Sequence, residues 1–140
     1  MRYRPDWFYT QSAVVPYRWV GDAVEVLLIT ARGGRRWTIP KGVVEREMTA
    51  AASAANEAYE EAGVRGDVGS SPLGSYDYEK WGGTCHVEVY PLHVLEVLDP
   101  WPESHARRRR WLSIDEAAAA VANDDVRRIL SAFDARSLGR

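Results

Sequence analysis

The chain has 140 residues, 46% hydrophobic and 27% charged, with a net charge of −2; that is too apolar for a disordered segment and enough for one domain, residues 1–140, with its own core. No apolar run reaches the roughly 20 residues of a membrane span, and the start "MRYRPDWFYTQ" lacks the apolar stretch of a signal peptide. A lone Cys85 can make neither an internal disulfide nor a cysteine zinc site, so a cytoplasmic protein without membrane contact is expected.

In chain order, "SAVVPYRWV" (12–20) and "AVEVLLIT" (23–30) are rich in β-branched residues and joined by "GD", which predicts an antiparallel hairpin. "ARGGRR" (31–36) is a glycine-containing turn, and "WTIP" (37–40) is a short strand ended by proline. "KGVVERE" (41–47) reads as a loop. Thr49 then caps a helix running to Ala62, with Gly63 just beyond its end. "SPLGSYDYEKW" (71–81) and "CHVEVYPLHVLEV" (85–97) alternate apolar and polar residues about Gly82 and Gly83, predicting a second hairpin. A proline-containing loop leads to the short strand "RWLSI" (110–114). Ser113 or Asp115 caps "EAAAAVA" (116–122), and a last amphipathic helix covers 124–137, with Val126, Ile129, Leu130 and Phe133 at helical spacing. Strands, a helix, more strands and then helices imply an α/β or α+β sandwich around a mixed sheet.

Charge is unevenly placed. Acidic residues crowd 45–61, whereas basic ones gather in "ARGGRR" and in "RRRR" (107–110). On a helical wheel at about 100° per residue, Glu57, Glu60 and Glu61 fall within about 100° of one another. Ala51, Ala52, Ala55, Tyr59 and Ala62 occupy the other side, predicted to pack on a sheet while the glutamates look outward. Like charges at these spacings destabilise an isolated helix. They suit a hard cation such as Mg²⁺ or Mn²⁺, which takes oxygen ligands; a solvated acidic face is the alternative.

The segment "GVVEREMTAAASAANEAYEEAGV" (42–64) resembles the signature of the Nudix hydrolases, in which a glycine precedes a glutamate, followed by Arg-Glu, an apolar residue, Glu-Glu, glycine and an apolar residue at fixed spacing. Gly42, Glu57, Ala58, Glu60, Glu61, Gly63 and Val64 fall on that pattern. "RRWTIPKG" (35–42) looks like the strand entering the signature, and "RWLSIDEA" (110–117) like the family's closing strand and helix. The resemblance implies an α/β/α sandwich around a mixed β-sheet and metal-dependent hydrolysis of a nucleoside diphosphate linked to another group, or of a similar pyrophosphate. It further implies that Glu57, Glu60 and Glu61, with the Gly42 carbonyl, hold Mg²⁺ or Mn²⁺. Glu57 and Glu61 would be the catalytic pair, with Glu57 orienting or deprotonating the attacking water. Two positions depart from the pattern. Met48 stands where the family has its first glutamate, and Asn56 where it has the arginine; Asn56 keeps the ability to hydrogen-bond a neighbouring glutamate, and Glu45 or Glu47 is a substitute ligand for the missing glutamate.

"WTIPKG" followed by "AASAANEAYEEAGVRG" (51–66), with the later "RRRRWLSIDEA", looks most like the diphosphoinositol polyphosphate and diadenosine polyphosphate phosphohydrolases. Arg32, Arg35, Arg36, Lys41, Lys80, Arg108 and Arg109 are the expected substrate-binding cations, since arginine offers bidentate bonds to phosphate. Trp81, at the hairpin tip, is placed to reach a ligand; Trp37 and Trp111 read as core, and His86, His93 and His105 show no metal-ligand spacing. The expected partner is a small-molecule polyphosphate or nucleotide, acted on by a monomer or homodimer. Two other readings remain open: a catalytically weak sensor of a phosphorylated metabolite, motivated by Met48 and Asn56, and RNA binding or decapping through 107–110. Nucleic acid is the disfavoured partner, because those four arginines carry no interleaved aromatics.

Overall fold

The two β-branched runs pair as their turn signal predicts. In the computed structural model, which describes residues 3–139, β1 (Thr10–Val20) and β2 (Ala23–Thr30) form an antiparallel hairpin. β1 is long enough to serve three neighbours: β2 along its second half, β4 (Lys41–Val43) along its first, and β7 (Gly83–Val97) in parallel on its other edge. β2 also carries β3 (Trp37–Thr38) and β8 (Arg109–Ser113), while β7 carries β5 (Val64–Val68) and β6 (Gly74–Lys80). All pairings but β1 with β7 are antiparallel, so the sheet is mixed.

The central strands are apolar without alternation because both of their faces are covered. Ala13, Val15 and Tyr17 of β1 face Val126, Ile129 and Leu130 of α3 (Asp124–Ala132), which packs there with α2 (Ile114–Ala120). Val14, Leu27, Ile29 and Leu92 face Ala54, Ala58 and Ala62 on the opposite side. The architecture is therefore an α/β/α sandwich, as expected. Among the described residues no helix is long and apolar enough to cross a membrane.

The signature helix departs from its wheel. Thr49 does cap α1 (Ala50–Glu57), its hydroxyl accepting the Ala52 N–H at 3.0 Å. The helix then widens into a π-helical turn, Ala58–Ala62, and ends at Gly63 with φ of +67°, a left-handed closure that glycine adopts without strain. Ala54, Ala58 and Ala62, four apart, form the fully buried stripe; Ala52 is exposed, and Ala51, Ala55 and Tyr59 are only half-buried. The stripe lies nearer the glutamates than predicted, because the smallest side chains let the helix settle closely on Val14 and Leu92. As a result Glu61 sits at the seam, 8% exposed, instead of facing outward.

Two strands were not predicted. Residues 41–43 form β4 because Lys41, Gly42 and Val43 pair with Ala13, Ser12 and Gln11; the pairing comes from β1 and not from any pattern of their own. β5 follows Gly63 directly and includes an irregularity at Arg65 and Gly66. The last helix is shorter than predicted, since Phe133 leaves helical geometry and turns its ring into the core against Tyr17.

Candidate active site

The site forms where the end of α1 meets β4. A Cβ on Gly42 would overlap the Glu57 carboxyl group, so glycine at this position is what lets the carboxylate lie against the strand. The Lys41 backbone N–H donates to Glu61 Oε1 at 3.2 Å, and the carboxyl groups of Glu57 and Glu61 hydrogen-bond to each other. Burial first, and then the negative charge of Glu61, push the Glu57 carboxyl up to about 9, with Glu60 and Glu103 adding to the rise. Glu61 is also raised by burial, against the opposing pull of Arg107. Without a cation, this pair therefore holds a proton.

The loop before β8 closes the site from the other side. Glu103 and Arg107 sit one helical turn apart, Arg107 Nε donating to Glu103 Oε1 at 2.8 Å. The same guanidinium lies 3.5 Å from Glu61 Oε2 and donates to the Thr30 carbonyl at 3.0 Å. The loop also satisfies the end of the helix. Glu103 N–H donates to the Glu60 carbonyl, Trp101 Nε1–H to that of Glu61, Arg109 Nη1 to that of Ala62, and Leu98 N–H to that of Gly63.

A cavity of about 430 Å³ opens beside Glu61, lined by Arg32, Arg36, Thr38, Lys41, Arg107 and Asn123 among others. Of the expected cations, Arg32, Arg36 and Lys41 thus reach the cleft. Arg32 also pairs with Glu103 at 3.1 Å. Burial, and then neighbouring Lys80, lower the Lys41 ammonium from its ordinary value, partly offset by Cys85 and Glu61; its charge rests 4.0 Å from the centre of the Tyr78 ring. The other four expected cations do not line this cavity. Lys80 is exposed at the end of β6, its ammonium over the Trp81 ring. Arg35 is exposed and does not line the cavity. Arg108 lies over the Trp37 ring, and Arg109 is committed to the helix end and to the Trp101 ring at 3.9 Å. The member of the arginine run that meets the carboxylates is Arg107.

Arg107 and Glu103 were missed because the run was weighed as a block. The available signal was the carboxylate four residues before an arginine in "ESHAR", a spacing that brings the two side chains together on one helical turn.

The all-oxygen donor set fits a hard divalent cation: the half-buried Glu57 and the buried Glu61 carboxyl groups, which resist full ionisation alone, with the Gly42 backbone pressed against the first. Among the described residues, no three His, Cys, Asp or Glu side chains already converge as a cage. Glu60 accepts from Asn56 Nδ2 at 3.2 Å, and Glu103 is engaged by Arg32 and Arg107. Asn56 therefore uses the hydrogen-bonding capacity expected of it. Met48 is exposed, its sulfur 3.9 Å from the Ser53 hydroxyl, and Glu45 and Glu47 are exposed as well; the further carboxylate acting on Glu57 and Glu61 is that of Glu103.

Residues 10–133 match the NUDIX domain family model. The chain belongs to the Nudix family. Among its relatives, Nudix hydrolase 16, mitochondrial, of Arabidopsis thaliana is 36% identical over 124 residues, covering 76% of this chain and 68% of that protein. Diphosphoinositol polyphosphate phosphohydrolase 3-beta of Bos taurus is 31% identical over 117 residues, covering 82% of this chain and 70% of the relative. The chain spans about two thirds of the length of the plant relatives it matches. A solved binary complex of the C. elegans Ap4A hydrolase superposes with a TM-score of 0.72 at 21% identity, covering 94% of this chain and 98% of that one, a likeness of fold. In this Nudix protein the signature glutamates, its glycine and the loop carrying Glu103 and Arg107 form one connected unit.

Proposed function

We propose that this Nudix domain, taken as residues 1–140, is a divalent-metal-dependent pyrophosphohydrolase cleaving a phosphoanhydride in a dinucleoside polyphosphate or a diphosphoinositol polyphosphate. The observation that carries the reading is the Glu57 carboxyl seated on Gly42 and the Glu61 carboxyl on the Lys41 N–H, beside a cleft lined with cations. Glu57, Glu60, Glu61 and the Gly42 carbonyl would hold Mg²⁺ or Mn²⁺. When bound, such a cation lowers the pKa of water and neutralises charge on the bridging phosphates. Glu57 accepts the proton of the attacking water as the bridging phosphorus–oxygen bond breaks. Arg107 keeps Glu61 aimed at the site, and Arg32, Arg36 and Lys41 offset the charge of the phosphate chain. The relatives named for diphosphoinositol polyphosphates and for Ap4A support this substrate range. A cytoplasmic setting, which the lone Cys85 supports, is part of the proposal, as is action on a small molecule by a monomer or homodimer.

The test is incubation with Mg²⁺ or Mn²⁺ and a panel of diadenosine polyphosphates, diphosphoinositol polyphosphates and nucleoside diphosphate sugars, followed by chromatography. Turnover of polyphosphates that disappears in Glu61→Gln, with the fold retained, is the expected result. Saturable binding without turnover under either metal would favour a sensor instead, the reading that the Asn56-held Glu60 supports.

A further inference from the structure

The turn between β6 and β7 places a tryptophan where the backbone disfavours one. Trp81 and Gly82 have φ of +54° and +72°, the pair of positive values that defines a type I′ turn. Asn, Asp or Gly normally takes the first of these positions, and a bulky aromatic residue there is an outlier that persists only when its surroundings impose it. Here they do. The Tyr9 hydroxyl donates to the Trp81 carbonyl at 2.6 Å and accepts the Arg4 backbone N–H at 3.0 Å. The rings of Phe8 and Tyr9 stand nearly perpendicular to the indole, their centroids 5.5 and 6.1 Å from its own, and a Cβ on Gly83 would strike the Tyr9 ring. The indole is thus fixed by its backbone and by two perpendicular rings, and cations lie over it: Lys80 Nζ at 4.6 Å and the Arg4 guanidinium at 5.5 Å.

This held ring is joined to the carboxylates by an unbroken path. Glu61 accepts the Lys41 N–H, the Lys41 ammonium lies on the Tyr78 ring, and the Tyr78 hydroxyl donates to Gln11 Oε1 at 2.7 Å. Gln11 Nε2 in turn donates to the Phe8 carbonyl at 3.4 Å. Lys80 is two residues beyond Tyr78 on the same face of β6, the strand whose Tyr78 ring carries the Lys41 ammonium. Charge and ring alternate from the carboxylates to the hairpin tip.

We propose that Trp81 is a stacking platform for the nucleobase of a nucleoside polyphosphate whose phosphates cross Lys80 and Lys41 to reach the end of α1. The inference rests on the hydrolase reading and narrows it to substrates that carry a base; a phosphorylated inositol ring has no π face to offer. Lys80 is exposed, so its ammonium is free to leave the indole for an arriving phosphate and uncover the ring for the attached base. An exposed lysine resting on a ring also reserves that face from casual apolar contacts.

The experiment is calorimetric titration of the whole chain with α,β-methylene-ATP and with inorganic tripolyphosphate in the presence of Ca²⁺. The wild type should bind the nucleotide at least ten-fold more tightly than tripolyphosphate. Trp81→Asn, which suits the type I′ turn, and Trp81→Ala should weaken the nucleotide by roughly ten- to a hundred-fold relative to tripolyphosphate, and Trp81→Phe should keep most of the difference. Equal affinity of the wild type for both ligands, no binding of either, an unchanged ratio in Trp81→Asn, or an equal loss for both ligands would overturn the proposal and leave Trp81 a turn residue. Base-dependent binding without turnover of any substrate would sink the hydrolase reading while keeping the platform.

Discussion

Helices α1 and α3, on opposite faces of one sheet, treat charge in opposite ways. In α3 the Asn123 side chain accepts the N–H groups of Asp125 and Val126, Asp124 and Asp125 sit at the positive end of the helix dipole, and Arg127 and Arg128 pair with them at 2.9 and 3.5 Å. In α1 the first turn holds no acid, and Glu60 and Glu61 stand in the closing π-helical turn, directly after Glu57, at the negative end with no basic residue in the last turn. Helix α3 keeps to the local rules at its start, where cap, acids and paired bases agree. Helix α1 breaks them at its end, and the conflict is resolved by something positive brought from outside the helix: Arg107 at rest and, in the proposed reaction, a divalent cation.

That contrast can be broken at its centre. Glu57→Gln should lower turnover by about 10²- to 10⁴-fold, the range of a lost general base, while the thermal stability of the metal-free protein holds at neutral pH, because the amide replaces a carboxyl that is already protonated. The same variant sharpens a pH prediction. Glu57 moves from an ordinary 4.5 to about 9 on folding, so the metal-free protein gains full stability from this group below pH 4.5 and loses it as pH rises through about 9. Thermal melts across that window should fall with pH in the wild type and flatten in Glu57→Gln; a Mg²⁺ titration should release a proton from the wild type alone.

Removing the resident cation comes next in size. Arg107→Met strands Glu61, whose side chain is only 10% exposed, and should cost about 3–5 kcal/mol in the metal-free protein, read by urea unfolding, with part recovered on adding Mg²⁺. Gly42→Ala forces a methyl group into the Glu57 carboxyl and should cost about 1–3 kcal/mol together with metal affinity, measured by melting and by titration. The smallest effect belongs to the conventional helix. Asn123→Ala should cost about 1 kcal/mol by loss of the cap and leave the ratio of metal-bound to metal-free stability unchanged.

What the sequence revealed follows the same divide. The caps at Thr49 and at Ser113, where Ser113 and Glu116 close a full capping box, are local chemistry and were readable, as were both hairpins. β4 was not, because three residues including a glycine carry no strand pattern until β1 lies beside them. The phase of α1 was misread since small alanines on nearly every side leave the wheel without a clear apolar face. Glu103 and Arg107 became functional candidates only when the loop folded over the helix end; sequence distance hid a contact that spans 46 positions between Glu61 and Arg107.

The anchoring of that loop bears on protein engineering. Four carbonyls at the end of the signature helix find their donors in residues 98–109, through Leu98, Trp101, Glu103 and Arg109. The segment 42–64 is therefore not a portable cassette. Grafted onto another scaffold without residues 98–109, it would carry the glutamates but leave their helix with an unmet end, so a transplant would need both pieces, and a permuted chain that opened between them would still have to hold them in register.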